Sequence, residues 1–368
     1  MKIAYMMGSL NRGGAEVLML DLFRNAKEAR LEILGIHRNK GDLYEDFLNT
    51  GWPLLQIRPK HMFDLCYLFY LRRIIIKNHV LLIHAQHPVD GFYAKMACIF
   101  TKTKLVMTLH GFSLQKPWWY RIMLRYLLKK SDMLLFVSKV QKEHYRNTYY
   151  SFPENRCKII YNSVDTGKFA RPISSDIRDE LRLPANQLLL GSVGNFNSGR
   201  DQLTICHALK LLKDEQIDFS FIFIGARQAH DPSLYDRCVD YCREHALDQQ
   251  VFFLGTREDV PSLLQQINAF VYSSRHDTFG IAVVEALISG TPVIVNDWKV
   301  MLEVTDNGHH ALVYKSGDTA DLLQKLLAFV NNSYKYKQKA LEQKHIISKL
   351  YDIHTYLQKL KTTYENIC

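Results

Sequence analysis

The stretch AFVYSSRHDTFGIAVVEALISGTPVIV, residues 269–295, reads as a strand, a loop, a helix and a second strand in direct succession. AFVYSS (269–274) and PVIV (292–295) are near-continuous apolar runs, the pattern of strands buried on both faces, and such strands separated by a helix belong to a parallel sheet. The helix expected over Ile281–Ile288 opens directly after Gly280. Backbone N–H groups in a first helical turn have no partner within the helix, and the dipole there favours negative charge. Phosphate is therefore expected at Phe279–Gly280–Ile281, where a glycine allows a ligand to approach the backbone. Glu285 lies about one turn further in, on an otherwise apolar face. A carboxylate there is costly without a partner. It suits the hydroxyls of a ribose attached to that phosphate, and Asp277, on the loop, suits the vicinal hydroxyls of a hexose.

The same rhythm extends outward in both directions. Towards the amino terminus, IAYMM (3–7), LEILGI (31–36), PLLQI (53–57), VLLIHA (80–85), KLVMTLH (104–110) and DMLLFVS (132–138) read as buried strands. Helical patterns lie between or after them at Ala15–Lys27, Phe63–Lys77, Val89–Phe100, Pro117–Lys130 and Val140–Tyr149. The alternation restarts near residue 170 with QLLLGSVG (187–194), FSFIFIG (219–225), QVFFLG (250–255), the quoted stretch and ALVY (311–314). Further helices are expected at Asp201–Lys213, Ser233–Glu244, Pro261–Gln266, Thr319–Val330, Tyr334–Lys344 and Asp352–Ile367. The reading is an α/β protein of two Rossmann-like, doubly wound domains, 1–167 and 168–351, with the helix over 352–368 packing back on the first. Ligands of open α/β sheets bind at the carboxyl ends of the strands, so two such sheets are expected to face a central cleft.

The totals narrow the classes. A chain of 368 residues exceeds what one hydrophobic core normally serves. No run reaches the roughly 18 uninterrupted apolar residues of a membrane span, and MKIAYMMGSL reads as a first strand, so a cytoplasmic protein is expected. The seven cysteines form no CxxC pair; Cys238 and Cys242 lie one helical turn apart without a second zinc-like pair, so reduced thiols are the reading. His84 and His87 have ligand-like spacing, but nothing nearby completes a metal site. Charge is uneven: residues 1–170 carry 26 Lys and Arg against 13 Asp and Glu, whereas 171–368 carry 21 against 24. An anionic partner for the first half follows, and nucleic acid, acidic lipid and a pyrophosphate-linked acceptor are all compatible with charge alone. No GxGxxG follows a strand with an acidic residue at the expected spacing, which leaves a nicotinamide enzyme poorly supported. Nucleic-acid binding has no support beyond charge and is not expected.

Asp277, Phe279, Gly280, Glu285, Ala286, Gly290, Pro292 and Val293 stand in the order of a known signature, Glu-x-Phe-Gly-x4-Glu followed by Ala, a small residue, Gly and Pro-Val. In this the chain resembles the family 4 retaining glycosyltransferases of GT-B fold, along nearly its whole length. GSLNRGGAEVLMLDL resembles the family's Gly-rich first loop, and the resemblance implies that Gly13 and Gly14 let the backbone approach the donor's distal phosphate. TLHGF (108–112) places His110 where the family has the histidine that contacts the transferred sugar. IYNSVDTGKF (160–169) resembles the segment preceding the second domain, and GNFNSGRDQL (194–203) the loop supplying cations to the donor pyrophosphate. Asp277 is one methylene shorter than the usual Glu, and Asn195 stands where an Arg is usual, leaving Arg200 to carry more of that charge.

The resemblance implies transfer of a hexose-type sugar from a nucleotide-sugar donor to a glycan or lipid-linked acceptor, with retention, in surface polysaccharide or glycolipid synthesis. No cofactor and no metal ion are expected, and no Asp-x-Asp motif is present to hold one. His110, Asp277 and Arg200 are the expected catalytic residues; Gly13, Gly14, Asn195, Arg200, Arg257, Phe279, Gly280, Ile281 and Glu285 are the expected donor-binding ones, Arg257 framing the base. Two alternatives remain: a GT-B-fold sugar-nucleotide epimerase, and a nucleotide-sugar-binding protein without turnover. KPWWYRIMLRYLLKK (116–130) interleaves aromatic, aliphatic and cationic residues. Such a helix suits an anionic membrane surface, peripheral on the inner face, and it equally suits packing on a sheet.

Overall fold

The computed structural model describes residues 1–61, 64–114, 116–149, 152–173, 176–229 and 231–368. They form two compact units, Met1–Ser163 with Asp352–Cys368, and Val164–Tyr351.

In the first unit seven strands, β1 (Lys2–Ser9), β2 (Glu32–Asn39), β3 (Leu54–Gln56), β4 (Leu82–Ala85), β5 (Lys104–Leu109), β6 (Met133–Phe136) and β7 (Cys157–Ile159), pair in the order β3-β2-β1-β4-β5-β6-β7. Every pairing is parallel. The central strands are covered on both faces, which is why β4 and β6 are buried at every position and read as unbroken apolar runs. Helices Leu65–Lys77, Pro88–Ala97, Trp118–Lys130 and Lys139–Tyr149 bury Leu71, Ala94, Leu124 and Tyr145 in one shared core layer. The first of these is capped by Asp64, whose carboxylate accepts from the Tyr67 N–H at 3.0 Å. The expected helix starting at Phe63 begins at Leu65; Phe63 itself lies outside the described residues. Helix Ile353–Glu365 packs against helix Gly14–Asn25. Its Tyr364 hydroxyl reaches both the Tyr5 hydroxyl and His84 Nδ1 at 2.7 Å, and His84 Nε2 meets Thr108 Oγ1 at 2.7 Å.

The second unit has six parallel strands, β8 (Leu188–Val193), β9 (Phe219–Ile224), β10 (Val251–Phe253), β11 (Ala269–Tyr272), β12 (Val293–Asn296) and β13 (Leu312–Tyr314). Their order, β10-β9-β8-β11-β12-β13, is the Rossmann order, reversing direction between β8 and β11. Helices Gln202–Asp214, Ser233–Glu244 and Thr319–Asn331 share one core layer, with Cys206, Cys238 and Cys242 all buried within it. Burial raises the Cys206 thiol pKa well above its ordinary value, the condition of an inert core thiol. Helices Val260–Gln266 and Ile281–Ser289 pack on each other.

Sequence periodicity missed β7 and the short helices Tyr44–Leu48, Ile177–Leu181 and Lys299–Val304. None is long enough to establish a period, and β7 is an edge strand without a fully buried residue. Helix Ser333–Leu350 runs about a turn and a half beyond the expected Lys344.

Candidate active site

The candidate site is built at the carboxyl end of β11. Ser274 is pinned there by Asn296, whose Oδ1 accepts the Ser274 N–H at 3.1 Å and whose Nδ2 donates to the Ser274 carbonyl at 2.7 Å. Ser274 Oγ in turn accepts the Asp277 N–H at 3.0 Å, and Trp298 Nε1 donates to the Asp277 carbonyl at 2.8 Å. The loop is therefore held by side chains from the β11 and β12 ends before the helix begins. Gly280 stands at the turn into the helix with φ +81°, and a Cβ there would lie 2.7 Å from Met301 Cε. The left-handed backbone calls for glycine. Helix Ile281–Ser289 follows without a side-chain cap and with no acid in its first turn. It ends on Gly290, again left-handed, whose N–H closes onto the Ala286 and Leu287 carbonyls. Phe279 is buried and packs edge-on against Tyr351, with ring centroids 5.8 Å apart. Glu285 is half-buried where its neighbours Val284 and Ala286 are fully covered.

Beneath this loop lies a guanidinium. Arg200 pairs with Ser274 in an isolated bridge and is only 6% exposed. Its Nη2 donates to the Val193 carbonyl at 3.2 Å, and its guanidinium sits 3.8 Å from the centre of the Tyr272 ring. Nη1 lies 3.7 Å from Asp277 Oδ2, and Nε is buried with no hydrogen-bond partner among the described residues. Room for it comes from Gly194, where a Cβ would stand 2.4 Å from Nη1. The Tyr272 hydroxyl donates to the same Asp277 Oδ2. Burial raises the Tyr272 pKa well above its ordinary value, so the hydroxyl remains a donor.

Two further expected donor residues of this unit, Asn195 and Arg257, have protein partners of their own. Asn195 Oδ1 accepts the Ala226 N–H at 2.9 Å, joining the loops that follow β8 and β9. Arg257 is clamped by two carboxylates, Asp259 (2.8 and 2.7 Å) and Glu180 (2.6 and 3.0 Å). These hydrogen bonds raise its pKa further, and the two acids compensate its charge locally. An open pocket of about 610 Å³ is lined by Asp201, Thr204, His207, Arg275, His276 and Trp298 among others. Neither Asp277 nor Glu285 contributes to it, so it lies beside the helix start rather than at it.

In the first unit, Gly13 is the uncapped residue before helix Gly14–Asn25, and its backbone is extended, a conformation open to any residue. A Cβ there would stand 2.6 Å from Glu16 Oε2, the end of a flexible side chain that can turn aside. Gly14 is exposed at the first helical position. Glu16 is half-buried in the first turn, and burial raises its pKa. His110 follows β5, half-buried, with Nε2 2.7 Å from Gln86 Oε1. Burial, helped by nearby His87, pulls its pKa down to about 4, so the imidazole is neutral at pH 7. Tyr272, Asn296 and Trp298 were not expected from sequence. Tyr272 carried only the signal of a strand residue, and nothing in a run of apolar letters marks a hydroxyl that folds back on the loop five residues later.

Two parallel Rossmann-type sheets, of seven and six strands, with helices between the strands, define the class: an α/β protein of GT-B fold. Residues 174–345 match the family model of glycosyl transferases group 1, and residues 12–168 match that of glycosyltransferase family 4. The chain belongs to this glycosyltransferase family. It is similar to the O-antigen biosynthesis glycosyltransferase WclY of Escherichia coli, 21% identical over 100% of this chain and 98% of that protein. It is 24% identical to the E. coli UDP-Gal:alpha-D-GlcNAc-diphosphoundecaprenol alpha-1,3-galactosyltransferase over 69% of this chain and 65% of that one. Anabaena Alr3699/HepE, solved in complex with UDP and glucose, superposes with a TM-score of 0.88 at 19% identity over 100% of both chains.

Proposed function

We propose that this glycosyltransferase moves a hexose-type sugar, with retention of configuration, from a nucleotide-sugar donor to a glycan or lipid-linked acceptor of surface polysaccharide or glycolipid synthesis. The observation that carries the donor reading is the uncapped helix start at Gly280–Ile281, placed over the buried charge of Arg200 and beside the carboxylates of Asp277 and Glu285. The helix amides take the diphosphate, Glu285 the ribose hydroxyls and Asp277 the sugar hydroxyls. UDP bound to Alr3699/HepE and the UDP-sugar and diphosphoundecaprenol in the galactosyltransferase's name support this donor and acceptor class.

The reaction needs charge stabilised on the departing nucleoside diphosphate, whose own phosphate oxygen takes the proton of the attacking hydroxyl on the same face of the sugar. Helix amides and Arg200 supply that stabilisation, in a fixed arrangement. His110, in the first unit, has a neutral imidazole at pH 7 and so can serve a ligand as a hydrogen-bonding group rather than as a cation. No metal ion enters this scheme, so turnover is expected to be unchanged in EDTA; loss of activity restored by a divalent cation would refute that part.

Acceptor delivery is assigned to the first unit. Helix Trp118–Lys130 buries Tyr120, Leu124, Leu127 and Leu128 against the sheet and exposes Trp118 (74%) and Ile122 (58%) among Arg121, Arg125, Lys129 and Lys130. Leu65 and Phe69, from helix Leu65–Lys77 in the same core layer, are exposed as well. That mixture favours an anionic membrane surface. Among the described residues no helix is long and apolar enough to cross a membrane, so contact would be peripheral.

The experiment is a thermal-shift screen of UDP-, GDP- and ADP-sugars, since a ligand of the folded state raises its melting temperature. One donor class should stabilise the chain, and Glu285→Ala and Arg200→Ala should abolish the shift. Stabilisation that survives both substitutions overturns the site. Product analysis with and without acceptor then separates transfer from epimerisation, and sedimentation with anionic vesicles tests the surface: Trp118→Ala with Ile122→Asp should leave the protein in the supernatant.

A further inference from the structure

Asp277 carries two oxygens with different surroundings. Oδ2 faces inward, where it accepts from the Tyr272 hydroxyl and lies 3.7 Å from Arg200 Nη1. The backbone on either side is fixed, the N–H by Ser274 Oγ and the carbonyl by Trp298 Nε1. The side chain as a whole is 28% exposed, and among the described residues no donor is hydrogen-bonded to Oδ1. One oxygen is thus consumed in holding the group and the other is left for a ligand.

A carboxylate 3.7 Å from a buried guanidinium would normally close to a direct, bidentate pair, since charge-assisted contacts of this kind are shortest and strongest at about 2.7–2.9 Å. Arg200 has the capacity for it: among the described residues Nε is buried without an acceptor, and Nη2 donates to the Val193 carbonyl. The tyrosine touches both groups. Its ring lies against the face of the guanidinium and its hydroxyl holds Oδ2.

We infer that Tyr272 is a positioning residue of the transfer reaction, holding Asp277 off Arg200 so that Oδ1 points at the sugar. This rests on the reading of Asp277 as the sugar-hydroxyl acceptor. Tyr272 touches no substrate in this arrangement; buried at 2% exposure, it acts only through the carboxylate. Without the hydroxyl, Oδ2 swings about 1 Å onto the guanidinium and Oδ1 moves with it. A displacement of that size at a reacting group costs on the order of 100-fold in rate.

The test is a double-mutant cycle, measuring UDP affinity by calorimetry and turnover with whichever UDP-, GDP- or ADP-sugar stabilises the chain. Tyr272→Phe keeps the ring under Arg200, so the fold and UDP affinity should stay within about twofold of the native values while kcat falls about 10- to 100-fold. Because the tyrosine acts only through Asp277, Tyr272→Phe with Asp277→Asn should be no slower than Asp277→Asn alone. Additive losses, or a Tyr272→Phe enzyme as fast as the native one when Asp277→Asn is slow, would overturn the inference. An Asp277→Asn enzyme with native turnover would instead overturn the reading of the site. A second variant removes dependence on Tyr272→Phe alone: Asp277→Glu pushes its extra methylene against the hydroxyl, and adding Tyr272→Phe to it should raise the rate. A further fall would count against the proposal.

Discussion

The two units end their central strands in the same way and guard the following helix oppositely. After β4, helix Pro88–Ala97 starts with His87, whose Nδ1 accepts the Val89 N–H at 3.3 Å, and has Asp90 in its first turn. After β11, helix Ile281–Ser289 starts with Gly280, has no side-chain cap and no acid in that turn. One helix start is capped and carries its own anion; the other leaves amides and positive potential for an anion from outside. Topology supplies both positions, and the first-turn side chains decide which of them can take a diphosphate.

The sharpest way to break this contrast is to give the second helix an acid of its own. Ala282 is the second helical residue and half-buried. Ala282→Asp should lower affinity for UDP and for the donor about 10- to 100-fold, the worth of roughly 1.4–2.8 kcal/mol. An acid in a first turn favours the helix, so the ligand-free melting temperature should not fall. Calorimetry and melting curves on one preparation read both. If affinity is unchanged, the diphosphate does not sit at this helix start; if both fall together, the substitution has only damaged the fold.

A smaller effect sharpens the other side. Asp90 is 1% exposed and paired with Arg38 Nε at 2.9 Å, yet burial outweighs that cation and raises its pKa to about 6. Burial pulls His84 down to about 3 and His110 to about 4. The signs oppose. Between its unfolded value near 6.5 and its folded one, each histidine binds more proton unfolded than folded, so stability falls with falling pH. Asp90 binds more proton folded between about 3.8 and 6, so its share is lost as pH rises through 6. Calorimetric melts at pH 7, 5.5 and 4.5 should therefore show acid destabilisation. Asp90→Asn should steepen it by up to one proton, about 1.4 kcal/mol per pH unit. An unchanged slope would mean that Asp90 is ionised across this range.

Much of this contrast can be read in the letters alone. The strand–loop–helix–strand at 269–295, Gly280 as the turn and the lone carboxylate in AVVEALIS all follow from spacing and composition. So does the alternation that produces two parallel sheets. Contacts that depend on register are not legible. HAQHP offered a histidine pair with ligand spacing, but folding sends His84 into a buried chain with Tyr364, 280 residues away, and uses His87 as a cap. Asp277, Arg200 and Gly280 were legible as types; the tyrosine that sorts the two oxygens of Asp277 was not, because a strand conceals where its tips reach.

Arg257 gives the smallest expected effect and a limit to reading cations from sequence. An arginine in LGTREDV, next to a strand end, suggests a ligand contact as readily as Arg200 does. The structure gives the two opposite surroundings. Arg200 is 6% exposed with a buried donor unmet, whereas Arg257 has carboxylates on both edges and 22% of its side chain exposed. Its charge is already compensated, and what it can still offer a base is the flat face of the guanidinium. Arg257→Lys keeps the charge and removes that face and the fork. Solvent-screened pairs of this kind are worth about 0–1 kcal/mol, so the melting temperature should drop by no more than a few degrees. UDP affinity should change by less than about fivefold, since stacking on one cation is worth about 0.5–1 kcal/mol at an exposed site. A loss as large as that of Ala282→Asp would mean that Arg257 leaves its carboxylates for the donor, and that compensated charge does not disqualify a ligand in this unit.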